Sequence, residues 1–377
     1  MLKEKTVAIA TLTAQAIELL QQLIATPSFS KEEDATAQII ADFLSAYRLP
    51  VQRLANNVWC KSTVWRNDLP VILLNSHHDT VKPNPGYTIN PFQPLIKEGK
   101  LYGLGSNDAG GSLVALIATF IYYNHLFEQF PEKQTFNLIL AATAEEEISG
   151  SGGIEMLLPH LGKIDLGIVG EPTLTQLAIA EKGLMVIDCT VRGKAGHAAR
   201  EEGENAIYKA LKDIEWFRTY RFPKVSPLLG EVKMSVTIIN AGSQHNVVPE
   251  KCTFTVDIRT TDVYRNTEVL DIIRQHVACE VKERSFRLNA SGISPEHPIV
   301  KRGIALGKTT YASPTTSDQA LMPFTTIKIG PGDSARSHSA DEYIWLHEIA
   351  EGIEFYIQLL DGLNIAEKIN QQEKLVW

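Results

Sequence analysis

His77, Asp108, Glu147, Glu171 and His338 are far apart in the 377-residue chain, yet they are of the types that ligate metals or move protons. Nitrogen donors mixed with carboxylates suit zinc and its borderline neighbours, whereas calcium takes oxygen donors. Five protein donors are too many for one catalytic zinc, which keeps about three plus a water. If one carboxylate bridges, the five make two three-donor sites. Asp108 suits the bridge because it ends the tight turn Gly103-Leu104-Gly105-Ser106-Asn107-Asp108 before a helix. Crowded carboxylates repel one another and lose hydration, costs that two divalent cations remove. The donors therefore predict two divalent ions, with zinc expected and cobalt or manganese also compatible.

Four short apolar runs have to position these groups. Val71 to Leu74 runs into His77-His78-Asp79, and Phe136 to Ala142 into Glu145-Glu146-Glu147. Leu166 to Val169 runs into Gly170-Glu171, and Thr325 to Ile329 into Gly330-Pro331-Gly332 and then His338. Runs this apolar, separated by helical stretches such as Ser112 to Tyr123, suit strands buried on both faces of a mostly parallel α/β sheet. Ligands bind beyond the carboxyl ends of such strands, where the His and Glu residues fall.

From about Glu181 to Ala290 the pattern changes to strand (Leu184 to Val191), helix (Ala206 to Tyr220), two strands (Val232 to Ile239, Thr253 to Arg259), helix (Thr267 to Cys279) and a weaker strand (Phe286 to Leu288). That order is ferredoxin-like and can stand alone. Afterwards the first pattern resumes, with a last helix expected from about Asp341 to Leu363. The expected organisation is a catalytic domain of residues 1–180 and 291–377 with residues 181–290 inserted.

Thirty-six basic against 44 acidic side chains leave a formal charge of −8, which argues against a nucleic-acid binder. Two divalent ions would bring −8 to −4. The longest apolar run, Leu113 to Tyr123, is too short to span a membrane. Lys3 and Lys5 precede a mild apolar stretch, but Glu4 interrupts them and the apolar spacing continues helically through Ile24, so a leader is not expected. Cys60, Cys189, Cys252 and Cys279 are scattered without a C-x-x-C, the pattern of reduced thiols in a cytoplasmic protein.

Taken together, the motifs His77-His78-Asp79-Thr80-Val81, Gly103 to Asp108, Thr143-Ala144-Glu145-Glu146-Glu147, Val169-Gly170-Glu171-Pro172-Thr173 and Gly330-Pro331-Gly332 through His338 resemble, in order, those of a known family. It is the family of dinuclear metallo-amidohydrolases and exopeptidases that includes acetylornithine deacetylase, succinyl-diaminopimelate desuccinylase, aminoacylase and carboxypeptidase G. The resemblance implies a metallopeptidase-like catalytic domain and an inserted dimerisation or lid domain. It implies one metal on His77, Asp108 and Glu171 and the other on Asp108, Glu147 and His338, with Asp79 orienting His77 and Glu146 as general base. It also implies a cis peptide at Asp108-Ala109. In the insert, Gly193-Lys194-Ala195-Gly196-His197-Ala198 resembles the element whose His reaches a partner subunit's site, and Asn246 and Arg259 match substrate-carboxylate positions, Arg259 being equally suited to a structural ion pair. Thr316-Ser317-Asp318 matches a substrate-side loop less closely. Two departures stand out: Gly110 replaces a common Lys, and Leu104 a common Arg.

The resemblance implies hydrolysis of an N-acyl amino acid by a cytoplasmic homodimer, nearest to N-acetylornithine deacetylation in arginine biosynthesis. N-acetylcitrulline, N-succinyl amino acids, succinyl-diaminopimelate and dipeptides are the alternative substrates. A non-catalytic binding protein would lack donors or the base, and here both sets are present. A two-metal phosphoesterase shares the metal chemistry, but no phosphate-cradling motif accompanies it.

Overall fold

The computed structural model describes residues 8–365, so Lys3, Glu4 and Lys5 lie outside the described residues. Two compact units emerge. One runs to Ile179 and includes Ile293–Tyr311 and the chain from Ser317; the other is Ala180–Gly292 with Ala312–Thr316.

In the first unit the strands Asn137–Thr143, Val71–His77, Leu166–Val169 and Thr326–Lys328 lie side by side in that order, every neighbouring pair parallel. Val71–His77 and Asn137–Thr143 are buried at every residue, the reason their sequences are apolar runs without alternation. Parallel pairing in register, with His77 opposite Thr143 and Asn75 opposite Val169, delivers their carboxyl ends to one rim. The sheet is mixed at its edge: Asn57–Lys61 pairs antiparallel with Asn137–Thr143, followed by Gln52–Leu54.

One face of the sheet packs on helices Ile9–Ile24, Asp34–Ala46, Gly111–Gln129 and Leu346–Leu360, and the other on Ile154–Leu161. The segment Ser106–Gln129 is long and apolar enough to cross a membrane, but 83% of that window is buried, as in a core helix. The first helix buries Leu12, Ala16, Leu19, Leu20 and Ile24, so its apolar spacing serves packing. The last helix starts at Leu346, not near Asp341, because Tyr343–Trp345 is a strand paired with Lys100–Tyr102.

The second unit is a four-stranded antiparallel sheet ordered Lys233–Ala241, Lys251–Thr260, Gly183–Arg192, Glu280–Leu288, with helices Ala206–Thr219 and Asn266–His276. Its first and third strands in chain order are central, the ferredoxin-like arrangement. Two boundaries differ from expectation. The second helix stops at His276, and the Asp213 carboxylate accepts the backbone N–H groups of Ala278 and Cys279 just beyond it. The closing strand starts earlier, at Glu280: half-buried residues alternate with exposed Glu280, Lys282, Arg284 and Phe286, so no apolar run marks its beginning. All four cysteines are free thiols.

Candidate active site

His77 ends its strand 1% exposed, and its Nε2 has no hydrogen-bond partner. Around that atom stand Asp108 Oδ1 at 3.5 Å, Glu171 Oε1 at 3.8 Å and Glu146 Oε2 at 3.9 Å. These separations are too long for hydrogen bonds, whereas two donors on one tetrahedral ion, each about 2.1 Å from it, lie roughly 3.4 Å apart. The second oxygen of Asp108 faces His338 Nε2 at 3.6 Å, and that nitrogen is 2.9 Å from Glu147 Oε2. Asp108 thus presents one oxygen to each histidine. An orphaned buried imidazole nitrogen amid carboxylates fits a divalent cation.

The donor atoms of His77, Asp108 and Glu147, and those of His77, Glu146 and Glu171, lie within 4.8 Å of one another. The grouping departs from the resemblance in two respects: the three-donor group that holds Glu147 contains His77 and not His338, and Glu146 lies as close to His77 as Glu171 does. The Asp108-Ala109 peptide is cis, as the resemblance implied.

Asp79 does more than face His77 Nδ1, which is 3.3 Å from its Oδ1. Its two oxygens accept the backbone N–H of Glu146 at 3.0 Å and of Glu147 at 3.1 Å, and the Ser30 hydroxyl at 2.7 Å. His77 Nδ1 makes its hydrogen bond, at 3.0 Å, to the Asp79 backbone carbonyl, so one residue holds both the histidine and the acidic turn. His78 contacts Thr36 Oγ1 through Nδ1 and the Asn56 carbonyl through Nε2, each at 2.9 Å, so both of its nitrogens are engaged away from the rim.

Burial lifts Glu146 well above the carboxylate range, with the charges of Glu171 and Asp318 adding and His77 opposing. Burial likewise pushes Glu171 up to about 8, against the pull of His77, and raises Glu147 against its bond to His338. His338 rises to about 9 through Glu147. Burial works against a charged His77, but the carboxylates of Asp108 and Asp79 raise it well above an ordinary imidazole. Asp79 and Asp108 are lowered because His77 outweighs their burial. A rim that retains protons is short of positive charge, which divalent cations supply while displacing those protons.

Glu33 and Lys328 carry no motif, whereas Asp318 belongs to the Thr316-Ser317-Asp318 loop singled out above and is buried. Glu33, fully buried, accepts the N–H groups of Lys31 at 2.6 Å and Glu145 at 3.2 Å and the Asn56 amide at 2.7 Å. Asp318, also buried, joins Asn75 Nδ2 and Thr143 Oγ1, both at 2.9 Å, beneath the rim. Burial pushes its carboxyl up to about 6. Lys328, 3% exposed, draws the Glu171 carboxyl down. The two departures have a packing cause. Leu104 is buried with Leu23 and Ile24 lining the same small cavity, and a Cβ on Gly110 would lie 2.4 Å from the Gly105 carbonyl and 2.6 Å from Leu20.

In the second unit, His197 pairs with Val247 in a two-residue ribbon, and Ala198 N–H donates to the Asn246 carbonyl at 3.0 Å. The ribbon brings His197 and Asn246 together as exposed groups. Arg259 lies on the strand Lys251–Thr260 with its fork engaged by Asp257 at 2.8 and 3.1 Å.

The α/β fold carries a rim of imidazoles and carboxylates fit to hold divalent metal, and similarity in sequence makes the chain a metal-dependent hydrolase of amide bonds. The chain belongs to peptidase family M20/M25/M40, whose profile matches residues 73–362. It is 28% identical to an acetylornithine deacetylase of Proteus mirabilis over 93% of this chain and 97% of that one. A metallo-carboxypeptidase, Sso-CP2 of Sulfolobus solfataricus, shares the fold with TM-score 0.74 at 17% identity, covering 93% and 99% of the two chains. A Bacillus subtilis protein described as a dinuclear metal binding peptidase of the M20 family shares it with TM-score 0.71 at 15% identity, covering 93% and 98%.

Proposed function

We propose that this protein is a two-metal deacylase of N-acyl amino acids, nearest in activity to acetylornithine deacetylase and so placed in cytoplasmic arginine biosynthesis. The observation that carries the reading is the buried His77 Nε2, without a hydrogen bond, facing Asp108, Glu146 and Glu171 across 3.5 to 3.9 Å. Similarity to the Proteus deacetylase supports the acyl class.

In this reading His77, Asp108 and Glu171 hold one divalent ion, and Asp108, Glu147 and His338 the other, with zinc the expected metal and cobalt or manganese able to replace it. Divalent ions bound there would supply Lewis-acid chemistry, acidifying a water towards neutrality and polarising the amide carbonyl. Glu146, its affinity for protons raised by burial, takes the proton of the attacking water and returns it to the leaving amine. Asp79 keeps the Glu146 turn and the His77 ring in register. His197 and Asn246 contact the substrate, and Arg259, one edge of whose guanidinium is held by Asp257, binds the substrate carboxylate through its remaining N–H groups.

Mass spectrometry of amine release from N-acetyl, N-succinyl and other N-acyl amino acids alongside dipeptides tests the substrate class. N-acetylornithine is expected to turn over best, and turnover of dipeptides alone sinks the deacylase reading. The reading includes a homodimer built through the second unit. Its edge strand Lys233–Ala241 exposes Ile238 and Ile239 at 51% and 52%, an apolar strand edge suited to pairing. Sedimentation is expected to give a dimer, and an active monomer would contradict it.

A further inference from the structure

We propose that Glu342 and Asp341 are positioning residues that set the Asp108 turn and the His338 loop in one frame, so that Asp108 can serve both metals. The proposal rests on the metal assignments above. The Glu342 side chain, in a residue 2% exposed, is surrounded by backbone donors of the Asp108 turn. Its Oε1 accepts the N–H groups of Asn107 at 2.8 Å and Asp108 at 2.9 Å, and its Oε2 that of Gly105 at 3.1 Å. Its own carbonyl accepts the Gly103 N–H at 3.0 Å. Four contacts therefore tie one residue to the segment Gly103 to Asp108, in which Gly105 is left-handed at φ +74°.

The neighbouring carboxylate grips a different loop. Asp341 Oδ1 accepts the N–H groups of Thr88 at 2.8 Å and Ile89 at 3.2 Å, and its Oδ2 the Thr88 hydroxyl at 2.5 Å. The Asn84 amide reaches the His338 carbonyl at 3.3 Å. His338 stands four residues before Glu342 at φ +58°, a conformation that isolated chains seldom adopt. The span from His338 to Glu342 is thus clamped at one end to the loop over Thr88 and at the other to the turn that carries Asp108.

Position 342 needs two acceptor oxygens on one side chain, Oε1 for the N–H groups of Asn107 and Asp108 and Oε2 for that of Gly105. Glutamine keeps the shape but turns an amino group towards a backbone N–H. Aspartate is one methylene too short.

The test is titration of metal-free protein with cobalt(II), read by its visible absorption spectrum, with apoprotein melting recorded in parallel. Wild type is expected to take up two ions. Glu342→Gln is expected to weaken both by roughly 10- to 100-fold and to alter the spectrum, because Asp108 serves both ions. Asp341→Asn, whose partners lie in an outer loop, is expected to weaken one of the two and provides the decision if Glu342→Gln does not fold. Two cobalt ions bound by either folded variant with wild-type affinity and spectrum overturn the proposal, as does a lower apoprotein melting temperature with an unchanged spectrum. Wild type that takes up no cobalt overturns the metal assignments themselves, a result separate from two ions bound equally by wild type and variants.

Discussion

Glu146→Gln is expected to lower kcat by about 10² to 10⁴-fold, the usual contribution of a positioned general base, while fold and metal content stay at wild-type levels. The substitution keeps the volume of the side chain, and the backbone N–H of residue 146 still donates to Asp79 Oδ1 at 3.0 Å, so the turn has no reason to move. What disappears is the group that takes and returns a proton. Glu147→Gln should behave differently. Glu147 Oε2 lies 2.9 Å from His338 Nε2, so its loss should reduce metal content along with activity. Steady-state kinetics with metal analysis separates the two variants. A Glu146→Gln enzyme within tenfold of wild type would remove Glu146 from the base role.

Chelation is expected to abolish turnover and to lower the melting temperature, by a margin that widens as pH rises from about 5 to 8. The sign comes from the protons. Burial raises Glu171 to about 8 from an ordinary 4.5, so between these values the folded apoprotein binds a proton that the unfolded chain does not. Through this group folding takes up a proton, so its contribution to apoprotein stability falls as pH rises through that window. His338, raised from 6.5 to about 9, acts in the same direction: its stabilisation is complete below 6.5 and is lost as pH rises through about 9. Bound cations need deprotonated donors, so their affinity grows over the same range. At free metal about 100 times its Kd, binding adds about 2.7 kcal/mol to stability. Melting curves with chelator and with zinc, taken from pH 5 to 8, measure both trends. A gap between the two curves that does not widen with pH would contradict this account of the rim.

The proposed assignments share one physical logic. Carboxylates that would face metal are crowded against one another, whereas those that orient them are buried against backbone N–H groups. Asp79, Glu33 and Glu342 each accept two or more such donors. This division lets a cluster of acids persist at one rim without every member competing for the same cations.

Residue order alone determined the α/β class and the chemical class of the rim. A parallel strand buried on both faces must be apolar along its length, and the chemistry of such a sheet falls at its carboxyl ends. Val71–His77 and Leu166–Val169 were therefore legible together with the polar residues at their carboxyl ends. The strand Glu280–Leu288 and the start of the last helix at Leu346 were less legible, because alternating charge and a three-residue strand carry little local signal. Only the tertiary structure decided which acids support the rim. Glu33 meets Glu145 across 112 residues, Glu342 meets Asp108 across 234, and Asp318 meets Asn75 across 243. A backbone N–H is the same donor in every residue, so nothing in the sequence marks which distant turn a carboxylate will hold. That choice is made when the sheet and its loops close around it.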